Sequence, residues 1–432
     1  MKLLFASPVG VIGGAERILI ECVRQTRRLK PDWNLSAILL ADGPLRKVLV
    51  DLGVQVEVVA LPGAMAAAGD SKHIDSPDLA PTGLSPSRAD RSRDKWNRVR
   101  RLLGRAFGGV MLLPAAFLFL WRLRRAVRSI RPDLIHSNGL KSHLCLAIAK
   151  PRGIRTLWHI HDFYSHRPRI GRWIRLASKR TAGCIAISRA VENDVRNEVP
   201  GLQSYLLLNC VDTDHFCPGP ADAVALDRAA GLPPDVASDG TLRVGLVATY
   251  ARWKGQDVFL KAISKVPNVR AYVVGGPIYS TQGSQWTETE LRDLGESLGI
   301  MDRVGLVPFQ SDPRWVYRSL DIVVHASIRP EPFGLTIVEA MACEKPVVVS
   351  AGGGAVELFV DGNSGFGFAS GEPEELASKI ASLVNDSFLR GSLGTAARSK
   401  AVQDFSSQTF GDRLIEIYSE ASGSKAFQDG GG

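Results

Sequence analysis

The sequence predicts two Rossmann-like α/β domains with parallel sheets, facing each other across a cleft. The chain has 432 residues, which is more than one hydrophobic core usually organises. Short apolar runs alternate with helical patterns in both halves, and Pro and Gly cluster between the halves in "NCVDTDHFCPGPADA" from residue 209. Strands covered by helices on both faces are apolar nearly throughout, so this alternation indicates doubly wound parallel sheets.

The first half contains seven strand candidates, most of them separated by helical patterns such as "AERILIECVRQTRRL". They are "KLLFA" from 2, "LSAILLA" from 35, "VQVEVVAL" from 54, "DLIHS" from 133, "TLWHIH" from 156, "GCIAIS" from 183 and "SYLLLN" from 204. Residues 62–95 are rich in Ala, Asp, Ser, Pro and Arg without a period, which predicts a mobile insertion. We place the first domain at 1–210 and a linker at 211–220.

The second half repeats the pattern with five strand candidates. They are "RVGLVATY" from 243, "VRAYVVGG" from 269, "RVGLVPF" from 303, "DIVVHAS" from 321 and "PVVVS" from 346. We place the second domain at 221–404 and expect residues 405–432 to form a helix that crosses back to the first domain, followed by a flexible tail. The carboxyl ends of both sheets would then meet at the cleft, where open α/β folds bind ligands.

Charge is distributed unevenly along the chain. Residues 1–217 hold 34 Lys and Arg against 18 Asp and Glu, whereas residues 218–432 hold 19 against 26, so the halves carry +16 and −7. The basic first half suggests an anionic partner, which could be a membrane surface, a phosphorylated acceptor or nucleic acid.

The longest uncharged stretch, Ala106–Trp121, has 16 residues. A helix that spans a bilayer needs about 20. Arginines flank the stretch on both sides, so it fits either a helix that lies on an anionic bilayer or a core helix of the first domain.

The six cysteines form no CxxC pair, and "MKLLFASP" is too short for a signal peptide, so we expect a cytoplasmic protein.

Two motifs in the first half have the composition of a binding site. In "SPVGVIGGAER", residues 7–17, a Gly-rich loop joins a strand to a helix, and Gly10, Gly13 and Gly14 would let a phosphate approach the helix N-terminus or would serve a tight turn. In "TLWHIHDFYSH", His161 ends a strand that should point into the cleft, where its imidazole could hold a sugar hydroxyl or move a proton. His159 is interpreted as a buried, hydrogen-bonded histidine.

Two further motifs lie in the second half. In "TYARWKGQD", Arg252 and Lys254 follow a strand beside a helix start, which suits a diphosphate. In "RPEPFGLTIVEAMA", Glu331 precedes a helix from about Leu335 and Glu339 lies inside it, and each carboxylate could accept hydrogens from a sugar diol. The backbone N–H groups in this stretch would face a phosphate, and they belong to Phe333, Gly334, Leu335 and Thr336.

These motifs resemble a known enzyme family. "EPFGLTIVE" is similar to the Glu-x7-Glu signature of retaining glycosyltransferases with the GT-B architecture. With "GGAER", "HD", "WKGQD" and "GGGAVELFVDGNSGF" in the same order, the chain resembles glycosyltransferase family 4 over nearly its whole length apart from residues 62–110.

The resemblance implies a role for each matching residue. Glu331 would contact hydroxyls of the donor sugar, and Glu339 would bind the ribose of the nucleotide. Lys254, helped by Arg252 and the amides near Gly334, would neutralise the leaving diphosphate. From the other domain, Gly13 and Gly14 would close over that diphosphate, and His161 would lie beside the reacting sugar.

The resemblance also implies the reaction. The chain would move a hexose from a nucleotide-diphosphate sugar to a cell-surface glycan such as lipopolysaccharide or another polysaccharide, to a lipid-linked acceptor or to a related one, with retention of configuration and with no metal or cofactor. An acceptor of this kind suggests peripheral contact with the inner face of the plasma membrane. "DTD" at 212–214 matches a manganese motif of another glycosyltransferase fold but lies in the linker.

Two departures from the family pattern stand out. The usual Gly-Arg is replaced by Ala248-Thr249, which leaves open which arginine grips the phosphate, and Cys210 replaces a linker glycine. Two other functions fit parts of the pattern: a sugar-nucleotide epimerase on paired Rossmann domains, and a basic membrane- or nucleic-acid-binding protein with a degenerate cleft.

Overall fold

The computed structural model describes residues 1–63, 65, 114–234, 240–277 and 283–423. The predicted fold class is confirmed, because each half contains one sheet of parallel strands with helices packed on both faces. Most of the insertion predicted at 62–95 lies outside the described residues, as does the predicted tail beyond residue 423.

The first sheet has seven parallel strands in the order β3-β2-β1-β4-β5-β6-β7. Their bounds are Lys2–Ser7 (β1), Asn34–Leu39 (β2), Gln55–Val58 (β3), Leu134–Asn138 (β4), Arg155–Ile160 (β5), Gly183–Ala186 (β6) and Ser204–Leu206 (β7). The helices between them are Gly14–Leu29 (α1), Pro44–Asp51 (α2), 114–130 (α3), Leu140–Ala149 (α4), Gly171–Ser178 (α5) and Arg189–Glu198 (α6). All seven strand candidates of this half coincide with strands.

The second sheet has six parallel strands in the order β10-β9-β8-β11-β12-β13. Their bounds are Leu242–Val247 (β8), Val269–Val274 (β9), Val304–Val307 (β10), Ile322–His325 (β11), Val347–Ala351 (β12) and Phe366–Ala369 (β13). The sequence patterns missed β13, because "FGFA" is short and contains a glycine, and so lacks the long apolar run of a central strand.

The remaining helices cover the second sheet or leave it. They are Ala223–Ala229 (α7), Gln256–Ile263 (α8), Glu288–Ser297 (α9), Arg314–Ser319 (α10), Leu335–Ala342 (α11), Pro373–Asn385 (α12), Ser387–Phe405 (α13) and Ser407–Ser422 (α14). The last of them returns to the first sheet, where Phe410, Leu414 and Ile417 pack in one cluster with Leu3 and Phe5. Helix α14 therefore ties the end of the chain to its beginning.

The two faces of the first sheet carry different helices. Leu157 and Ile185 lie in one cluster with α1 and α14, whereas their neighbours Trp158 and Cys184 lie in a cluster with α5 and α6. This alternation follows from the two-residue period of a strand. The starts of α1 and α6 therefore reach the cleft from opposite faces of the sheet.

Helix α3 contains the described part of the long uncharged stretch. Phe119 and Leu123 are buried in a cluster with Leu4 and Ala6, whereas Phe117 and Trp121 are exposed. The inner face of α3 thus belongs to the core and its outer face does not. Within the described ranges, no helix is both long and apolar enough to cross a membrane.

Three histidines, His136, His143 and His159, lie in the interior around β4 and β5, and a fourth, His161, is half-buried after β5. Tyr418 of α14 and His136 Nδ1 are 2.8 Å apart, and His136 Nε2 lies 3.2 Å from His159 Nδ1. His143 lies 2.8 Å from Ser137 Oγ. Burial lowers the pKa of His136 and of His161 to about 3, and it also holds the pKa values of His143 and His159 well below the ordinary value. All four are therefore neutral at pH 7.

We expect the free energy of unfolding to fall as the pH drops from 7 to 5. An unfolded histidine takes up a proton near pH 6.5, whereas these four histidines stay neutral in the folded protein, so unfolding binds protons in this window. Each of them lowers stability by up to ~1.4 kcal/mol per pH unit below 6.5. Urea denaturation followed by circular dichroism at several pH values measures the slope.

His143→Gln and His166→Gln provide the comparison. His143→Gln removes one interior titrating group and keeps a hydrogen-bonding partner for Ser137, so its stability should fall less steeply with acid. His166 is exposed, and His166→Gln is the surface control. Equal slopes for the wild type and both variants would contradict this account.

Candidate active site

The centre of the cleft contains a buried ion pair between two elements of the second domain. Lys254 ends a short 3-10 helix, Arg252–Lys254, directly after β8. Its Nζ lies 2.7 Å from Glu331 Oε2, and the two side chains are only 16% and 12% exposed. Gly255 makes this approach feasible, because its φ is +71° and a Cβ there would lie 1.9 Å from the carbonyl oxygen of Ala326.

Glu331 has two further partners that the sequence patterns missed. His325 Nε2 lies 3.3 Å from Glu331 Oε2, and Ser327 Oγ donates to the same oxygen at 3.1 Å. Both residues stand at the end of β11, in "DIVVHAS", and that position at a carboxyl strand end was the available signal. Burial favours the protonated form of Glu331, but Lys254 and His325 outweigh it and hold the pKa of Glu331 well below its usual range.

The three groups around Glu331 all meet the same carboxylate oxygen. Within the described residues, no hydrogen bond reaches Oε1 of Glu331. Lys254 and Ser327 therefore orient the carboxylate and keep it ionised while leaving one oxygen available as an acceptor. A side chain in this state suits the hydroxyls of a ligand.

Glu339 lies one to two turns into α11, where burial raises the pKa of its carboxyl group. Tyr317 donates to Glu339 Oε2 at 2.8 Å, and Arg17 Nη1 of α1 lies 3.5 Å from Oε1. Arg17 also donates to the carbonyl oxygen of Ser311 at 3.5 Å. Glu339 is thus held from its own domain by Tyr317 and reached across the cleft by Arg17.

The N-terminus of α11 supplies backbone N–H groups between the two glutamates. Gly334 is its N-cap residue with φ at +111°, a conformation that favours glycine. Leu335 and Thr336 are half-buried at the start of the helix. Phe333 is 2% exposed and its ring packs against Phe405 at a centroid distance of 6.0 Å, so only its backbone remains for a ligand.

The Gly-rich loop of the first domain faces this helix. A Cβ on Gly14 would lie 3.5 Å from Leu335 Cδ1. Gly13 donates its N–H to Glu16 Oε2 at 3.1 Å, so the side chain of the third helical residue satisfies the N-cap amide at the start of α1. Gly10 has a packing role, since a Cβ there would lie 2.4 Å from the carbonyl group of Asp42.

His161 follows β5 on the first-domain side. Its Nε2 lies 2.6 Å from Asn138 Oδ1, and its ring centroid lies 4.1 Å from that of His159. Because an amide oxygen accepts, the neutral ring carries its proton on Nε2 and keeps a lone pair on Nδ1. His159 is fully buried, as interpreted from the sequence.

Arg252 does not join Lys254 at Glu331. Its guanidinium stacks over Trp286 at 4.1 Å, pairs with Glu290 and donates to the carbonyl oxygen of Gly283 at 3.2 Å. This surface on the α9 side holds the Arg252 guanidinium, and a contact between Arg252 and the diphosphate remains a prediction. Asp212 of the "DTD" stretch accepts hydrogen bonds from the amides of Asp214 and His215, so it organises a local turn.

Comparisons with known proteins place the chain among glycosyltransferases. Two family models match the chain: Glycosyltransferase Family 4 over residues 45–215 and Glycosyl transferases group 1 over residues 235–400. D-inositol 3-phosphate glycosyltransferases are among its relatives. The one from Mycolicibacterium smegmatis is 42% identical over 158 residues, covering 36% of this chain and 34% of the relative. The one from Mycobacteroides abscessus is 35% identical over 214 residues, covering 49% and 45%.

The chain thus spans less than half the length of these curated relatives. Solved structures match along nearly the whole chain. The crystal structure of Anabaena HepE in complex with UDP is 25% identical, with a TM-score of 0.74 over 97% of this chain and 100% of that one. The same protein in complex with UDP-glucose is 26% identical, with a TM-score of 0.72 over 97% and 100%. The two family models together take in most of the chain, and the protein belongs to glycosyltransferase family 4.

Proposed function

We propose that the protein transfers a hexose from a nucleotide-diphosphate sugar to an acceptor alcohol, with retention of configuration and without a metal ion. The observation that carries this proposal is the buried Lys254–Glu331 pair at the start of α11, opposite the Gly-rich loop. UDP and UDP-glucose in the HepE structures support a UDP-hexose as the donor.

The donor would lie along the start of α11. The ribose hydroxyls would take the place of Arg17 at Glu339 Oε1, while Tyr317 keeps Oε2. The diphosphate would lie against Lys254 and the backbone N–H groups of Gly334 to Thr336, where a helix N-terminus favours negative charge. Sugar hydroxyls would donate to Glu331 Oε1, and Gly13 and Gly14 would allow the first domain to approach the diphosphate closely.

The bond that breaks joins the sugar C1 to an oxygen of the β-phosphate, and the bond that forms joins C1 to the acceptor oxygen. Negative charge grows on the β-phosphate as the donor bond breaks, so fixed positive groups at that position lower the barrier. Lys254 and the α11 amides are such groups. The departing phosphate would take the proton of the acceptor hydroxyl on the same face of the sugar, which gives retention without a nucleophile on the opposite face.

His161 would act as a neutral hydrogen-bond acceptor beside the sugar. Its Nε2–H is committed to Asn138, so Nδ1 is the atom left for a sugar hydroxyl. Arg252 would contribute indirectly, since its stacking on Trp286 fixes the turn that carries Lys254.

We propose that the acceptor is lipid-linked and that the protein works in the cytoplasm at the inner face of the plasma membrane. Helix α4 packs between α3 and α5 in the first domain, and these helices expose Phe117, Trp121, Trp173 and Leu176. Residues 114–180 contain 15 Lys and Arg against 2 Asp and Glu. Exposed aromatics among cations suit the interface of an anionic bilayer.

Glu331→Gln should slow transfer by roughly 100-fold or more while UDP binds as well as before or better. The amide removes the charge that orients the sugar and leaves Lys254 free for the diphosphate.

Glu339→Ala should weaken UDP binding by roughly 10- to 100-fold, because hydrogen bonds to a charged group contribute about 1.5–3 kcal/mol. Calorimetry with UDP and transfer assays with UDP-hexoses separate the two effects.

Glu296→Ala is the control for these variants, since Glu296 is exposed on α9 and should change neither quantity. If Glu331→Gln and Glu339→Ala reduced binding and transfer by equal factors, the proposed division of the donor between the two glutamates would be wrong.

Excess EDTA should leave the transfer rate within about twofold of its value without chelator, because Lys254 and the α11 amides are proposed to carry the charge stabilisation. Transfer measured by chromatography of a labelled product, with and without chelator, tests this. Loss of transfer in EDTA that added Mn²⁺ restores would contradict the metal-independent reaction.

The protein should sediment with vesicles containing phosphatidylglycerol and much less with pure phosphatidylcholine vesicles. Trp173→Ser combined with Leu176→Ser should reduce this binding several-fold. Phe388→Ser is the control, because Phe388 is 84% exposed but lies on α13, outside these helices of the first domain. Equal vesicle binding by the wild type and the double variant would contradict the assignment of this surface.

A further inference from the structure

A carboxylate of the second domain caps a helix of the first. Glu357 Oε2 accepts the backbone N–H of Arg189 at 2.9 Å, and Oε1 accepts that of Ala190 at 2.8 Å. These are the first two residues of α6, a ten-residue helix. Both oxygens of one side chain therefore bind the positive end of a helix across the cleft.

This contact is additional to the helix's own cap. Ser188 is the N-cap residue of α6, and its hydroxyl already accepts the N–H of Val191 at 3.1 Å. The backbone segments of the two domains also approach too closely for a side chain between them, since a Cβ on Gly354 would lie 2.7 Å from Ser188 Cβ. The surfaces of the two domains beside Glu357 are thus complementary in shape.

The loop that carries Glu357 also fixes the backbone of Glu331. Gly354 donates its N–H to the carbonyl oxygen of Glu331 at 2.7 Å, and Glu331 donates to that of Gly352 at 3.3 Å. Gly353 has φ at +66°, and a Cβ there would lie 2.3 Å from the carbonyl oxygen of Glu331. One short 3-10 helix, Gly354–Glu357, joins this pairing to the Glu357 carboxylate.

A continuous path of hydrogen bonds and covalent chain therefore runs from α6 through Glu357 and residues 352–354 to Glu331. Arg17 provides the other contact across the cleft, on α1 and so from the opposite face of the first sheet. The Arg17 contact reaches Glu339, whereas the Glu357 contact reaches the residue proposed to orient the donor sugar.

We propose that Glu357 is a positioning residue through which closure of the cleft fixes Glu331 for transfer. In the closed cleft, Glu357 docks on α6 and holds residues 352–354, and these hold the backbone of Glu331. When the domains separate, the carboxylate loses both amides and the loop loses its anchor. The inference rests on the proposed transferase function for its consequence in catalysis, but the hydrogen bonds that link Glu357 to the backbone of Glu331 do not depend on that function.

Hydrogen–deuterium exchange tests the coupling without reference to activity. In Glu357→Ala with saturating UDP, the amides of the peptide that contains Glu331 and Gly354 should exchange several-fold faster than in the wild type with UDP. Glu357→Gln keeps one acceptor oxygen, so the exchange rate of these amides should lie between those of the wild type and of Glu357→Ala. Glu375→Ala is the matched control, because Glu375 Oε2 accepts the N–H of Ala369 at 2.8 Å within the second domain.

Transfer kinetics then test the consequence. Glu357→Ala should lower kcat with a UDP-hexose at least 10-fold and change the Kd for UDP by less than about threefold, whereas Glu375→Ala should alter only the melting temperature. Unchanged exchange at Glu331 in Glu357→Ala would overturn the inference, and so would an unchanged kcat in an active enzyme. A wild type that transfers no hexose would refute the proposed function instead, and the exchange result would still decide the coupling.

Discussion

The site depends on the ion pair between Lys254 and Glu331. Removing two charges from water is expensive unless they are paired and hydrogen-bonded, so each side chain fixes the position and the charge state of the other. The backbone is adapted to the pair, since Gly255 lets the turn bearing Lys254 pass against Ala326. His325 and Ser327 complete the surroundings of one carboxylate oxygen and leave the other available. The result is a cation and an acceptor side by side at a helix N-terminus.

The two domains meet this pair through contacts on both faces of the first sheet. Arg17 of α1 reaches Glu339, and the start of α6 binds Glu357. The segments of the second domain that carry these two glutamates are therefore both in contact with the first domain. Helix α14 adds a third link, because Tyr418 packs under the first sheet and contacts the buried His136. The histidines there are neutral, which keeps the interior free of uncompensated charge but makes it sensitive to acid.

Much of the fold could be predicted from the sequence because it is encoded locally. Twelve strand candidates coincide with strands, and the helix start at Leu335 follows from the Pro-Phe-Gly break before it. What could not be predicted depends on pairs of residues far apart in sequence. Arg252 turns to Trp286 and Glu290, and Glu357 reaches α6, because of surfaces that exist only once both domains have folded. For His325, the sequence offered only its position at the end of a strand, which is a weak signal of a site residue because no motif accompanies it.

A crystal structure of the protein with UDP bound tests the central claim most directly. The account predicts the ribose hydroxyls within about 3 Å of Glu339, and the β-phosphate within a similar distance of Lys254 and of the α11 amides. It also predicts that Glu331 keeps its contact with Ser327 and presents its second oxygen toward the side from which the sugar would extend. A diphosphate bound away from Lys254, or a ribose held by groups other than Glu339, would contradict the account.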